Sequence, residues 1–131
     1  MGISDTMTPY LQSLLRFVAG LVFLQFGTSK FMHIPHSPIS GTLAMSASGI
    51  AGVIELACGF LIAVGLCTRP ACFLASGTMA ACYSITHAPL SFFPLLNGGG
   101  EAVLLCLVFL FLSTAGGGPL SLDRILFGKM S

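Results

Sequence analysis

Charged side chains are scarce in this chain. Of its 131 residues, five are Lys or Arg and four are Asp or Glu, so charged residues make up only 7% of the sequence. Soluble domains carry about 25% charged residues, and they need that polar surface to stay dissolved. Hydrophobic residues make up 55% of the chain, and its mean hydropathy is +0.97. The composition therefore predicts a protein that resides in a lipid bilayer.

Several motifs are also missing, and each absence removes a class of function. The chain has no run of basic residues, which excludes recognition of nucleic-acid phosphates. G-x-S-x-G, H-E-x-x-H and the P-loop pattern do not occur, so no nucleophile triad, zinc-peptidase site or nucleotide site is indicated. The five cysteines form no C-x-x-C pair, which argues against disulfide exchange and zinc ribbons. Cys67 and Cys72 flank one turn, and the sequence leaves open whether a disulfide joins them.

Four apolar runs dominate what is present. A helix of about 20 residues crosses a hydrocarbon core of about 30 Å. We predict membrane spans at about residues 9–31, 43–66, 70–87 and 98–115. No strand pattern occurs, and no cleavage site follows the first run, so we expect that run to remain as a span. The predicted fold class is all-α, a polytopic membrane protein with a four-transmembrane-helix bundle and a short C-terminal interfacial helix, in one domain over residues 1–131.

Local signals predict where these helices begin, end and touch. Thr8 is a suitable cap and Pro9 a suitable first residue for the first helix, while Asn97 is a suitable cap for the fourth. Gly65 is a typical helix terminator. The two prolines of residues 88–96 exclude a regular helix throughout that segment. Small residues let helices approach closely in lipid, and they occur at Gly20, Gly27, Gly52, Gly59 and Ala63.

The distribution of basic residues predicts an orientation. An even number of spans places both termini on one side, and that side holds most of the cations: Arg16, Arg69, Arg124 and Lys129. The positive-inside rule then places both termini in the cytoplasm. Arg16 lies two turns into the first span, so its side chain either snorkels to the helix end or marks where the apolar core begins.

Glu55 is the most unusual residue, because it lies within the apolar second span. A charge at the centre of a membrane helix costs roughly 2.5–3.5 kcal/mol or more and usually faces the bundle interior. The predicted orientation brings it into the outer half of the bundle with Lys30, Glu101 and Asn97. Three interpretations stay open: an ion pair of Lys30 with Glu55 or Glu101, a pocket for a quinone-like head group or a proton relay, and a Glu55 that faces a partner subunit.

Other polar residues are weaker site candidates. These are His33, His36, His87 and Arg69. Pro35 separates the first two histidines, and no Glu or Cys lies near them in sequence, so we predict no metal site. Glu101 also has a simple alternative role, because a carboxylate in the first turn of a helix is stabilised by the helix dipole.

Four groups of residues together resemble the DoxX family of small bacterial membrane proteins. They are Arg16, Gly20 and Gly27-x-x-Lys30-Phe31; Gly52-x-x-Glu55-x-x-x-Gly59 with Gly65-Leu66-x-Thr68-Arg69; Asn97-Gly98-Gly99-Gly100-Glu101-Ala102; and Gly116-Gly117-Gly118-Pro119-Leu120-Ser121-Leu122-Asp123. The resemblance implies a four-helix bundle in the bacterial plasma (inner) membrane. It also implies partnership in redox systems, since DoxD-type chains belong to thiosulfate:quinone oxidoreductase and other relatives to thiol-detoxification assemblies. Relatives similar to MauE act in disulfide maturation, a role that the missing C-x-x-C does not support.

These observations predict an integral membrane subunit of a redox or respiratory-type complex that contacts quinone through Lys30, Glu55 and Glu101. The alternative is a structural accessory subunit that packs against a larger membrane enzyme and does no chemistry. We expect no catalytic activity from the chain alone, and quinone is the one candidate cofactor. The expected partners are the lipid bilayer and other membrane subunits or a second copy of the chain.

Overall fold

The part of the chain that the structure describes folds into four long helices and two short ones. The computed structural model describes residues 2–128, and Lys129, used above for the orientation, lies outside that part. The helices are α1 (Ile3–Met32), α2 (Ala47–Val64), α3 (Thr68–Cys82), α4 (Pro94–Asn97), α5 (Gly100–Ala115) and α6 (Leu122–Phe127), and a π-helical turn (Tyr83–His87) extends α3. No strand occurs among residues 2–128, so the all-α class is confirmed.

Two of these helices have the length and composition of membrane spans. They are α1 and α2, while α5 is apolar but shorter. The four-span bundle is therefore supported only in part, and four complete crossings remain a prediction.

The first helix begins earlier than its sequence signals indicate. It starts at Ile3, where Gly2 N donates to Asp5 Oδ2 at 3.1 Å and so closes the first turn. The predicted cap at Thr8 is wrong, because the Thr8 hydroxyl donates to a carbonyl of the preceding helical turn. Pro9 lies inside the helix. Its missing N–H removes only one backbone hydrogen bond near the helix end, which the remaining turns tolerate.

The ends of α2 follow local capping rules. Ser46 caps the helix by accepting a hydrogen bond from Gly49 N at 3.0 Å, so α2 begins later than the predicted Leu43. Gly65 ends it with φ +78°, a left-handed conformation that glycine adopts without strain. The prediction of Gly65 as terminator is confirmed.

Helices α1 and α2 form an antiparallel pair in which the backbones nearly touch. A Cβ added to Gly20 would lie 2.6 Å from Ala63 N, and one added to Gly27 would lie 2.9 Å from Gly52 O. A Cβ added to Gly59 would lie 2.7 Å from the backbone of α1. Small residues therefore set this contact, as the sequence predicts.

The apolar core lies in the middle of the bundle. Phe23 of α1 and Phe109 of α5 are fully buried, and their rings meet edge to face with centroids 5.1 Å apart. Ile62, Cys72 and Leu112 complete this layer without exposure to solvent. The core thus separates two groups of buried polar residues, one at each end of the bundle.

Arg16 belongs to the polar group at the end opposite Lys30. It is only 3% exposed, and its guanidinium donates to Gly117 O at 2.5 Å, Leu120 O at 3.1 Å and Ala63 O at 3.4 Å. The interpretation that Arg16 snorkels to the helix end is wrong, because these three carbonyls bind its guanidinium inside the protein. Arg16 instead fastens the segment after α5 to α1 and α2.

Asp123 fixes α6 to the turn between α2 and α3. Its side chain, 1% exposed, accepts hydrogen bonds from Cys67 N at 2.8 Å and Thr68 N at 2.9 Å, while Asp123 N donates to Gly65 O at 2.9 Å. Ser121 caps α6 by accepting from Arg124 N, as predicted for a short capped helix. We call Arg16 and Asp123, with these partners, the C-terminal clamp.

The substitution Asp123→Asn should destabilise the protein by about 1–3 kcal/mol, because one of the two backbone N–H groups that the carboxylate binds then loses its acceptor. Thermal unfolding of the purified protein in detergent measures the loss. Arg124→Gln is the matched control, since Arg124 is exposed on the same helix and its replacement should change stability by less than about 0.5 kcal/mol. Equal stability of the two variants would contradict the clamp.

Candidate functional site

A cavity of about 310 Å³ opens at the end of the bundle where α1 ends and α2 and α5 begin. All four long helices contribute to its wall. The polar side chains on the wall include Lys30, Glu55, Thr86, His87 and Glu101, and the apolar ones include Phe26 and Met79. The cavity therefore combines an apolar body with a few polar groups, the usual composition of a ligand site.

A buried ion pair forms part of this wall. Lys30 Nζ lies 2.8 Å from Glu55 Oε1 and donates a hydrogen bond to Ser48 O at 3.1 Å. Lys30 is 6% exposed and Glu55 is 2% exposed. Gly52 makes room for the lysine, because a Cβ there would lie 3.1 Å from Lys30 Cδ. Of the two pairings that the sequence left open, the structure has Lys30 with Glu55.

Glu101 lies on the wall of the same cavity but is exposed. It stands in the first turn of α5, where the helix dipole favours a carboxylate. Its position fits both stabilisation by the helix dipole and a role at the cavity mouth.

Asn97 stands behind the cavity wall and does not begin α5. Its Nδ2 donates to Tyr83 Oη at 3.1 Å and to Ser91 O at 2.9 Å, and its Oδ1 accepts from Gly99 N at 2.8 Å. The predicted cap is therefore displaced, because α5 starts at Gly100 and Gly99 takes the capping position. Asn97 O bonds His87 Nδ1 at 2.9 Å, so it braces the histidine that faces the cavity.

The remaining candidates lie apart from the cavity. His33 and His36 are exposed in the loop after α1, with ring centroids 5.7 Å apart. Arg69 is at the opposite end of the bundle, where its guanidinium donates to Thr114 O. Within residues 2–128, no three His, Cys, Asp or Glu side chains cluster in a way that could hold a metal ion.

The sequence interpretation missed the contribution of α3 to the cavity. Met79, Cys82 and Thr86 line it, although none was selected as a candidate. Their spacing of three and four residues places them on one helical face, which is the signal that could have identified them. All five cysteines are free thiols, so Cys67 and Cys72 are not bridged in this structure.

Comparisons with known proteins place the chain in a family. The DoxX family profile matches residues 11–88, a range that includes Lys30, Glu55 and the α3 wall of the cavity. A protein of Haemophilus influenzae, described only as uncharacterized, is 38% identical and aligns over 98% of this chain and 100% of its own length. No solved structure matches the chain. The chain therefore belongs to the DoxX family of membrane proteins.

Proposed function

We propose that this protein is an integral membrane subunit of a redox or respiratory-type complex, and that the cavity beside Lys30 and Glu55 holds the head group of a quinone. The observation that carries the proposal is the buried ion pair in a cavity wall that is otherwise largely apolar. Ligand cavities in proteins usually measure about 300–1,000 Å³, and this cavity of about 310 Å³ is large enough for one substituted ring.

The wall residues suit a flat ring with two carbonyl oxygens. The ammonium of Lys30 can donate to a carbonyl oxygen while Glu55 holds it in place. Phe26 and Met79 provide an apolar surface for the ring faces. A bound quinone would supply two-electron, two-proton redox chemistry. The role of the chain would be to orient the ring and to exchange protons with the mouth, where Glu101 and His87 lie.

The proposed membrane arrangement has four spans with both termini in the cytoplasm and the cavity on the outer side of the plasma membrane. Arg69 and Arg124 support it, because both are exposed at the end of the bundle opposite the cavity. The positive-inside rule assigns that end to the cytoplasm. The family match supports the membrane location, and the exposed apolar side chains of α1, α2 and α5 suit contact with lipid or with other subunits.

A structural accessory subunit is the second candidate. Lys30 joins α1 to two points of α2, the Glu55 carboxylate and Ser48 O, which is the geometry of a brace. In this case the ion pair would specify how the helices meet, and the protein would support a larger enzyme by packing alone.

Binding of a tailless benzoquinone to the purified protein, measured by equilibrium dialysis, tests the proposal. The double variant Lys30→Gln/Glu55→Gln should bind about tenfold or more weakly, because it lacks a charge-assisted hydrogen bond without leaving an isolated buried charge. Asp5→Asn is the matched control, since Asp5 is exposed at the other end of α1 and its replacement should leave binding unchanged. Absence of binding to the wild-type protein would overturn the quinone site and favour the accessory subunit.

A further inference from the structure

A second cavity, of about 250 Å³, lies beside the first. The two share four wall residues, which are Lys30, Ser48, Cys82 and Thr86. The lysine of the buried ion pair therefore borders both spaces. A molecule that occupies one cavity lies next to the other at this shared wall.

The second cavity opens sideways, whereas the first opens at the end of the bundle. Apart from Lys30, its walls come from α2 and from α3 with its π-helical turn. Ile50 on one side is 57% exposed, and Ile85 on the other is 72% exposed. Both residues face the surroundings of the bundle, so the cavity opens where lipid would surround these helices.

The gap between α2 and α3 has identifiable structural causes. Helices α2 and α3 are held together at their other ends, where Asp123 binds the short turn between them. Near the gap, the helical continuation of α3 widens into the π-helical turn, a feature often found at functional sites. The side chains that face across the gap include Ala47, Ala51 and Ala81, which are too small to fill it.

We propose that the second cavity is a lateral portal through which a lipid-soluble ligand with a polar ring and a long apolar tail reaches Lys30 from the bilayer. The ring occupies the first cavity, and the tail lies between α2 and α3. Ile50, Ile54 and Ile85 give this passage an apolar lining that suits an isoprenoid tail. The inference rests on the proposed quinone site, and it adds the route and the requirement for a tail.

The portal should be separable from the head-group site because, in the proposed arrangement, the first cavity opens toward water at the bundle end and the second opens toward lipid. Lipid tails are as apolar as the portal wall, so the tail gains little affinity there. Blocking the portal should therefore affect a ligand that arrives with a tail through the bilayer. It should not affect a tailless ring that enters from water.

The test uses the full chain in lipid nanodiscs and two probes, a tailless benzoquinone added from water and the same ring with a long isoprenoid tail dissolved in the bilayer. The variant Ala81→Phe places a large side chain at the exposed rim of the portal. We expect binding of the tailed probe to weaken by about tenfold and binding of the tailless probe to change by less than about twofold. Ala80→Phe is the matched control, since Ala80 is exposed on α3 and does not line either cavity.

The outcomes separate the two proposals. Retained binding of the tailless probe shows that the Ala81→Phe variant is folded, so a selective loss of the tailed probe supports the portal. If Ala81→Phe weakens both probes equally, weakens neither, or behaves like Ala80→Phe, the portal is overturned while the head-group site stands. If the wild-type protein binds neither probe, both proposals fall.

Discussion

Replacing Glu55 with Leu should lower the free energy of unfolding by about 3–5 kcal/mol. Lys30 would then be left as an isolated charge, 6% exposed, with Ser48 O as its remaining partner at 3.1 Å. The double variant Lys30→Met/Glu55→Leu should recover most of this loss, because no unpaired charge remains and the replacements fill a similar volume. Reversible unfolding in mixed detergent micelles measures all three proteins.

Glu101→Gln is the control for the Glu55 variants. Glu101 is exposed on the wall of the same cavity, so its neutralisation should change stability by less than about 0.5 kcal/mol. If Glu55→Leu is as stable as Glu101→Gln, the ion pair does not exist in the membrane-embedded protein. A stable double variant that has lost ligand binding would show that the pair serves the site more than the fold.

Gly59→Ala should destabilise the protein by about 1–3 kcal/mol, although it adds a single methyl group. The new Cβ would lie 2.7 Å from Leu24 Cα and 2.8 Å from Leu24 N. These are backbone atoms, so no side chain can rotate away, and α1 and α2 must separate. Gly59→Leu should prevent accumulation of folded protein, which is measured by the monodisperse fraction after extraction from the membrane.

Gly77→Ala is the matched control, because Gly77 lies inside α3 and a Cβ there meets nothing within 4 Å. It should leave stability unchanged or raise it by up to about 1 kcal/mol, since Ala forms helix better than Gly. The two glycine substitutions thus have opposite expected signs. A Gly59→Ala protein as stable as Gly77→Ala would show that α1 and α2 are farther apart than the structure has them.

The sequence predicted the features that depend on composition and on neighbouring residues. The scarcity of charge predicted a membrane protein, and motifs at Lys30, Glu55 and Glu101 predicted the family that the DoxX profile match confirms. The cap at Ser121 and the terminator at Gly65 depend on a few adjacent residues, and both were found. The start of α1 was not predicted correctly, because Asp5 and Thr8 offer competing local signals for a helix start. The helix uses the earlier signal, at Asp5.

Only the tertiary structure decided what the buried polar groups bind. Arg16 has no acceptor near it in sequence, and its partners include Gly117 O and Leu120 O, about a hundred residues away. Lys30 had two possible carboxylates, and the close glycine contact of α1 with α2 selects Glu55. Residue types thus determined which class of protein this is and which residues carry charge. The separation and rotation of packed helices determined the ion pair and the two cavities beside it, because these depend on distances between residues that are remote in the chain.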